Sequence, residues 1–540
     1  MNFTIRLERC EPIIFVILTT LLLWPVWSNT YFLTLDGPCH LYNASLLLDF
    51  WRGTHTGFLS KYYQLNHHID PNWFSHIILA CLMRCFSPQM SEKIFITFYI
   101  LGFLFFSRRL ILYINSENRL LVFLPFLFVY THVFQMGFYN FSFSLVWMMA
   151  WLYFFLRYKD SLSSYYFIPI GAAIILITYL AHPIGYMLAV AITVFILFIE
   201  TASRYRSLQQ TLRDSSRNIL VPALCILPSF LLMISFILSR PSSATSSGFG
   251  SFSVLSNDMM HLSGITNVIH TEDLPAKLTF FLFAIMILIS LLIKILSRRF
   301  CRYDALLIMA VLLTTFYLRA PNSIGGVGTV FERYQILPFI ILPFWFASIS
   351  FPKWLAAIGG LFAIVLTIWL MCVRIPVHKQ CSEAVAEYMS VGKYIKDESC
   401  VLPLNYSRSG NTITGASITD RIWMFFHASD YLGTKKNLIM MGNYEANTGF
   451  FPILWQQDIN IFAHLSKDED IEGSPPKIDI ARYEANTNTK IDYVILLCLD
   501  SPSLSHPNTV ALFAQLNKNY LKIFTSEYGR AILYRRNERQ

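Results

Sequence analysis

Asp36, His40 and Asn43 stand at helical spacing in TLDGPCHLYNASLLLDFWRG, and with Leu47 they follow the i, i+4, i+7, i+11 pattern of one face. A carboxylate beside an imidazole is acid–base equipment: Asp36 can take a proton from a hydroxyl or amine, and His40 can hold or relay one. Further candidates are scattered along the chain. His132 and Asn140 lie in THVFQMGFYNFS, His182 in YLAHPIGY, and Glu332 and Arg333 follow the glycine-rich APNSIGGVGTVF. A guanidinium such as Arg333 can hold a phosphate bidentately. Each residue also has a plainer reading: Asp36 caps a helix, His182 bonds a freed helix-end carbonyl, and Arg333 snorkels at an interface. SIGGVG lacks the Lys-Ser/Thr ending of a phosphate loop.

The elements that must position these residues are mostly apolar. Hydrophobic residues make up 55% of the 540 and charged residues 14%, well under the roughly 25% of soluble domains. The net charge of +9 comes with no basic patch interleaved with aromatics, which speaks against nucleic acid as a partner. Runs long enough to span hydrocarbon fall at 11–28, 92–108, 119–135, 138–156, 165–181, 183–200, 219–239, 276–297, 304–320, 335–351 and 354–373, about eleven spans. The first follows Arg6 and Arg9, but no small-residue cleavage pattern follows Trp27, so it reads as a retained anchor.

Positive residues cluster at Arg108, Arg109 and Arg119; at Arg157 and Lys159; at Arg204, Arg206, Arg213 and Arg217; at Lys294, Arg298, Arg299 and Arg302; and at Lys353. The intervening loops 132–137, 181–183 and 321–332 carry no Lys or Arg ahead of the next span. Positive residues favour the cytoplasmic side, so the Asp36 loop and the C-terminal residues are expected outside. Residues 71–87 are expected as a helix lying at the outer interface, opened by Asp70-Pro71. The loop 240–275 reads either as a lid or as a tolerated insertion.

From Ile375 the pattern changes to mixed helix and strand. Residues 382–396 and 508–518 read as helices, CVLPLNY, KNLIMM and IDYVILLCL as strands, and LKIFTSEYGRAILYRR as a closing hairpin turning at Glu527-Tyr528-Gly529. The division is thus a membrane module at 1–374, with its first outer loop at 29–91, and a soluble α/β or α+β domain at 375–540. Among the ten cysteines there is no CxxC and no zinc-type spacing, although Cys381, Cys400 and Cys498 could include one disulfide. Tyr-Glu-Ala-Asn-Thr stands at 444–448 and again at 483–487 with unrelated flanks, which points to chance rather than a repeat. The segment NYEANTGFFPILW is rich in aromatics that could meet a membrane surface or a substrate.

The layout resembles that of the GT-C glycosyltransferases, integral membrane enzymes that include protein O-mannosyltransferases, the aminoarabinose transferase of lipid A and oligosaccharyltransferases. The likeness covers the whole chain in plan and rests in residues on Asp36-Gly37-Pro38-Cys39-His40-Leu41. It implies a polytopic helical fold and a sugar donor linked to polyprenyl phosphate. The acceptor would be a lipid, glycan or protein on the outer face of the membrane. It also implies that Asp36 serves as base or metal-anchoring acid, with a divalent metal ion as a possible cofactor and membrane lipids as surroundings. One departure is plain: the next outer loop, THVFQMGFYNFS, has no Asp or Glu, so a partner acid comes from elsewhere or His132 takes that role.

A transporter or flippase of lipid-linked saccharides, or a non-catalytic membrane scaffold, would share this topology. Transporters place ionisable residues near the membrane midplane, whereas here the polar candidates gather at the outer rim, which favours surface chemistry. The short polar termini favour a bacterial inner membrane with the C-terminal domain in the periplasm.

Overall fold

A computed structural model describes residues 2–54, 57–204, 208–239, 248–323, 328–465 and 473–537, with the side chains of 2–5 and 203–218 excepted. The Arg204–Arg217 cluster, the serine-rich start of the 240–275 loop and most of SIGGVG therefore lie outside the described residues or side chains. Among the described residues eight helices are long and apolar enough to cross a membrane: Arg6–Ser28, Pro88–Ile114, Tyr139–Tyr158, Ser164–Ala181, Pro183–Ala202, Ile219–Leu238, His270–Ser297 and Lys353–Tyr394. The chain is an integral membrane protein.

The other three expected spans are also helical, but less regular. Ser116–Phe128 is a 3-10 helix, kinked at Asn118 and containing Pro125. Asp304–Arg319 is 16 residues long, and Val330–Ala347 contains Pro338 and Pro343, each of which removes a helix hydrogen bond.

The chain divides into two compact units. The first comprises Met1–Trp24, Thr97–Phe134 and Tyr139–Arg374; the second comprises Pro25–Ile96, Gln135–Phe138 and Ile375–Gln540. The first outer loop thus belongs with the C-terminal residues.

Within the first unit the positive clusters meet shared carboxylates. Glu200 pairs with both Lys159 and Arg302, Glu11 pairs with Arg108 at 2.8 Å, and Lys353 lies within reach of Glu8 and Glu117. Clusters assigned to one side of the membrane from sequence are thereby tied together. From the described part of the 240–275 loop come a helix at Phe252–His261 and the short 3-10 turns Ser263–Ile265 and His270–Glu272. There Glu272 is buried, accepting from the Asn267 and Val268 backbone amides and pairing with Arg374.

The second unit is built on a five-stranded mixed sheet. In chain order its strands, with two shorter ones, are β1 (Tyr63–Leu65), β2 (Ser399–Asn405), β3 (Leu438–Met440), β4 (Ile453–Trp455), β5 (Tyr493–Leu497), β6 (Tyr520–Thr525) and β7 (Ala531–Arg536). The sheet runs β3-β2-β5-β7-β6. Strands β3, β2 and β5 are parallel, and β7 is antiparallel to both β5 and β6. Strand β5 is buried at all five positions, as its unbroken Tyr-Val-Ile-Leu-Leu run requires of a central strand. The β6–β7 hairpin turns at Gly529, whose φ of 73° suits glycine.

β1 and β4 form a second, two-stranded antiparallel sheet that pairs Tyr63 with Trp455 and Leu65 with Ile453. A strand of the first outer loop is thus hydrogen-bonded to one nearly 400 residues later. This pairing, too short to be legible in sequence, brings the region around residue 445 onto the first loop.

Two helices of that loop carry site residues. Gly37–Arg52 starts one residue after Asp36 and ends at Gly53, in the left-handed conformation. Phe74–Leu82 is too short to span a membrane. The expected start at Asp70-Pro71 is not observed, because Asn72 is left-handed (φ 73°) and the helix opens only after Trp73. Asp70 instead accepts a hydrogen bond from Asn66. All ten cysteines are free, and the Cys400 and Cys498 thiols contact the Tyr62 and Tyr388 hydroxyls.

Candidate functional site

The site in the second unit begins with the helix Gly37–Arg52. Asp36 occupies its N-cap position, but its side chain makes no capping bond; Thr34 Oγ1 accepts from Gly37 N instead. Capping therefore does not explain this carboxylate. It lies 3.8 Å from His427 Nε2 and hydrogen-bonds with Tyr444, while His427 stacks on the Tyr444 ring at 4.7 Å. Burial, with the charges of His40 and Arg408, pushes the His427 imidazole down to about 3, so it stands neutral beside Asp36.

The loop 135–138 holds Asp36 through its backbone. Leu35 and Asp36 amides donate to the carbonyls of Gln135 and Met136. Gly137, at φ 83°, comes so close that a Cβ there would sit 2.6 Å from the Asp36 amide nitrogen. Only glycine fits. The loop without an acid contributes main chain instead.

One turn along the helix, His40 meets Glu445, with Nδ1 at 2.5 Å from Oε1. His76, from the helix Phe74–Leu82, puts Nε2 at 2.9 Å from Glu445 Oε2. Asn43 Nδ2 donates to the same oxygen at 3.0 Å, and Asn43 and Asn443 exchange side-chain amide bonds at 2.9 Å. His76, Asn43 and Glu445 are fully buried. Burial would raise the Glu445 carboxyl, but the charges and hydrogen bonds of His40 and His76 outweigh it and hold the group at about 2. Burial likewise pulls His40 down, and Glu445 reverses this and holds the ring above its usual value. At His76 burial wins, and the ring sits below its usual value. Nearby, burial and the charges of Glu445 and Asp36 push the Asp430 carboxyl up to about 8, against a hydrogen bond to Cys39.

Three ligand atoms, one each from His40, His76 and Glu445, lie within 4.8 Å of one another and could hold a metal ion. Asp36, the acid expected to anchor a metal, is not in that group.

The other candidates fall in the first unit. His132 Nδ1 bonds the Thr266 carbonyl at 2.9 Å. His182 ends one helix and its Nδ1 accepts from Ile184 N at the start of the next, with its ring edge-on to Phe141; it caps a helix start instead of bonding a freed carbonyl. Arg333 donates to the Gly328 carbonyl at 2.7 Å, and its charge is felt by His182. Asn140 is buried. Sequence reasoning brought Asp36, His40 and Asn43 together but missed His76, His427, Asp430, Asn443 and Glu445. Their one signal was the segment NYEANTGFFPILW, marked by its aromatics for a surface or substrate contact.

No protein-family description and no curated protein matches the sequence. Among solved structures, ArnT from Cupriavidus metallidurans in the apo state superposes with a TM-score of 0.52 at 10% identity, covering 96% of this chain and 97% of that one. The likeness is one of architecture, carried over both units with few shared residues, and the fold is ArnT-like.

Proposed function

We propose that the protein is a membrane glycosyltransferase that moves a sugar from a polyprenyl-phosphate carrier to a lipid, glycan or protein acceptor on the outer face of the membrane. In a bacterial cell that face is the periplasmic side of the inner membrane. Two things support the reading: the fold shared with ArnT, an aminoarabinose transferase, and the Asp36 site. The carrying observation is that Asp36, at a helix start, makes no cap bond, lies beside His427 and Tyr444, and has its backbone amide bound by the 135–136 carbonyls.

In the proposed step the acceptor hydroxyl or amine gives its proton to Asp36 while its oxygen or nitrogen attacks the anomeric carbon and the carrier phosphate departs. The carboxylate stands beside neutral His427 and Tyr444, on a helix start that the backbone of residues 135–136 fixes. Arg333 is proposed to hold the carrier phosphate, with His132, Asn140 and His182 as further polar contacts to substrate. His40 and Asn43 act through Glu445: they fix the helix that carries Asp36 and so hold its carboxylate in place.

The test is Asp36→Asn, which keeps shape and removes the base. Transfer from a polyprenyl-phosphate sugar should fall by roughly 10²–10⁴-fold, with normal membrane insertion and an unchanged Tm. Product formation at the wild-type rate would refute the assignment.

A further inference from the structure

We infer that His40, His76 and Glu445 form a resident site for Zn²⁺ or a similar first-row transition ion, which clamps the first outer loop to the 443–447 segment of the second unit. The inference does not depend on the transferase reading.

The argument lies in where each imidazole spends its other nitrogen. His40 Nε2 is 2.9 Å from the Gly137 carbonyl, an acceptor only, so that nitrogen carries the proton. His76 Nδ1 lies 3.4 Å from the Ser75 hydroxyl, and its Nε2 is the nitrogen turned to the cluster. His40 Nδ1 and His76 Nε2 thus face the two oxygens of one carboxylate at 2.5 and 2.9 Å, with ligand atoms of all three residues within 4.8 Å of one another and shut off from water. Nitrogen–oxygen contacts this close need positive charge between them, supplied by protons on the rings or by a single cation. A divalent cation serves all four atoms at once.

The surroundings are those of a metal centre. Metal-binding histidines characteristically donate their distal N–H to a backbone carbonyl or carboxylate, which fixes the ring and its tautomer. Here the Gly137 carbonyl does so for His40. Asn43 holds Glu445 Oε2. Two imidazoles and a carboxylate suit Zn²⁺ and its neighbours, and they disfavour Ca²⁺ and Mg²⁺, which take oxygen ligands. A tetrahedral ion with bonds of about 2.0–2.1 Å sets its ligand atoms about 3.3 Å apart, so binding needs the carboxylate to draw back by less than ~1 Å. With all three ligands buried, the role is structural.

The test uses the full-length protein in detergent, loaded with Zn²⁺, desalted and assayed for metal by mass spectrometry, with Co²⁺ as a spectroscopic substitute. Wild type should retain about one equivalent, show the visible bands of four-coordinate Co²⁺ without a sulfur charge-transfer band, and lose thermal stability on chelation. His76→Ala and Glu445→Gln should cut retention roughly tenfold or more, whereas His67→Ala/His68→Ala, at exposed positions, should match wild type. A wild-type protein that takes up neither ion, or His76→Ala retaining a full equivalent, overturns the site and leaves a triad holding protons only. Because metal content is read without any sugar donor, Asp36→Asn that loses transfer but keeps metal separates this result from failure of the transferase reading.

Discussion

The same five residues, Tyr-Glu-Ala-Asn-Thr, occur twice in the second unit and do opposite things. At 444–448 the glutamate lies in a 3-10 turn, fully buried between His40, His76 and Asn43. At 483–487 it lies in the helix Ile480–Thr487 near the surface, pairing with Arg536 and accepting from Ile491 N. Tyr444 stacks on His427 and bonds Asp36, whereas Tyr483 donates to the Ile459 carbonyl. Local sequence is held constant between the copies, so the difference must come from what packs against each. The β1–β4 pairing and the Trp455 Nε1 bond to the Asn443 carbonyl seat the first copy against the first loop. Asp479 caps the helix of the second, which buries Ile480 and Tyr483 and turns Glu484 to Arg536.

The sharpest way to break the comparison is to remove the charge from each glutamate in turn. Glu445→Gln leaves two histidines facing an amide in a buried site, and loss of one partner of a buried charge pair costs about 3–5 kcal/mol. Transfer activity should fall at least roughly 100-fold. Glu484→Gln loses a half-buried bidentate pair with Arg536 worth about 1.5–3 kcal/mol and should leave activity within a factor of about 2. Chemical denaturation with a transfer assay reads both. If the two variants behave alike, the first copy is not a site.

Glycines give a second contrast of intermediate size. Gly137→Ala puts a methyl 2.6 Å from the Asp36 amide at a φ of 83°, so the loop or the helix start must move. Because a displacement of about 1 Å can cost 10²-fold in rate, activity should fall by roughly 10–100-fold, with a clear loss of Tm. Gly529→Ala, at the hairpin turn with open space around its Cβ position, pays only the left-handed backbone cost of about 1–2 kcal/mol and should keep its activity. Equal loss of activity in both would show that Gly137 acts only on general stability.

Much of this was legible in sequence, and what was not has a common cause. The apolar runs, the outer loop, the strands β2, β3 and β5 and the closing hairpin follow from local patterning, because each is specified by residues within a few positions of one another. Asp36, His40 and Asn43 were found because helical period puts them on one face. Glu445, His76, His427 and Asp430 were not, because nothing local distinguishes a glutamate that will be buried between two histidines from one that will pair with an arginine, and the repeated pentapeptide is direct proof. The helix start at Phe74 falls three residues later than Asp70-Pro71 suggests, because Asn72 adopts a left-handed conformation that this pair does not announce. THVFQMGFYNFS, which has no acid, offers carbonyls at 135–137 instead, and the buried acids nearest the Asp36 helix, Asp430 and Glu445, stand in the C-terminal residues.

The smallest expected effect concerns Asp430, which reports on its neighbours' charge. Its carboxyl sits at about 8 instead of 3.8, through burial first and then the fields of Glu445 and Asp36. Between pH ~4 and ~8 the unfolded chain has lost this proton while the folded protein keeps it, so the folded state binds more protons and stability falls as pH rises through that window. Asp430→Asn, a near-isosteric replacement for the protonated acid, removes the penalty. The variant should match wild type near pH 4, gain on it progressively toward pH 8 by on the order of a few degrees in Tm, and hold a constant lead above that. Since Glu445 is one source of the shift, the upper limit of the window should move to lower pH in a Glu445→Gln background and stay in place in a Glu484→Gln background. If the limit fails to move in the first case, Glu445 carries no negative charge in the folded protein.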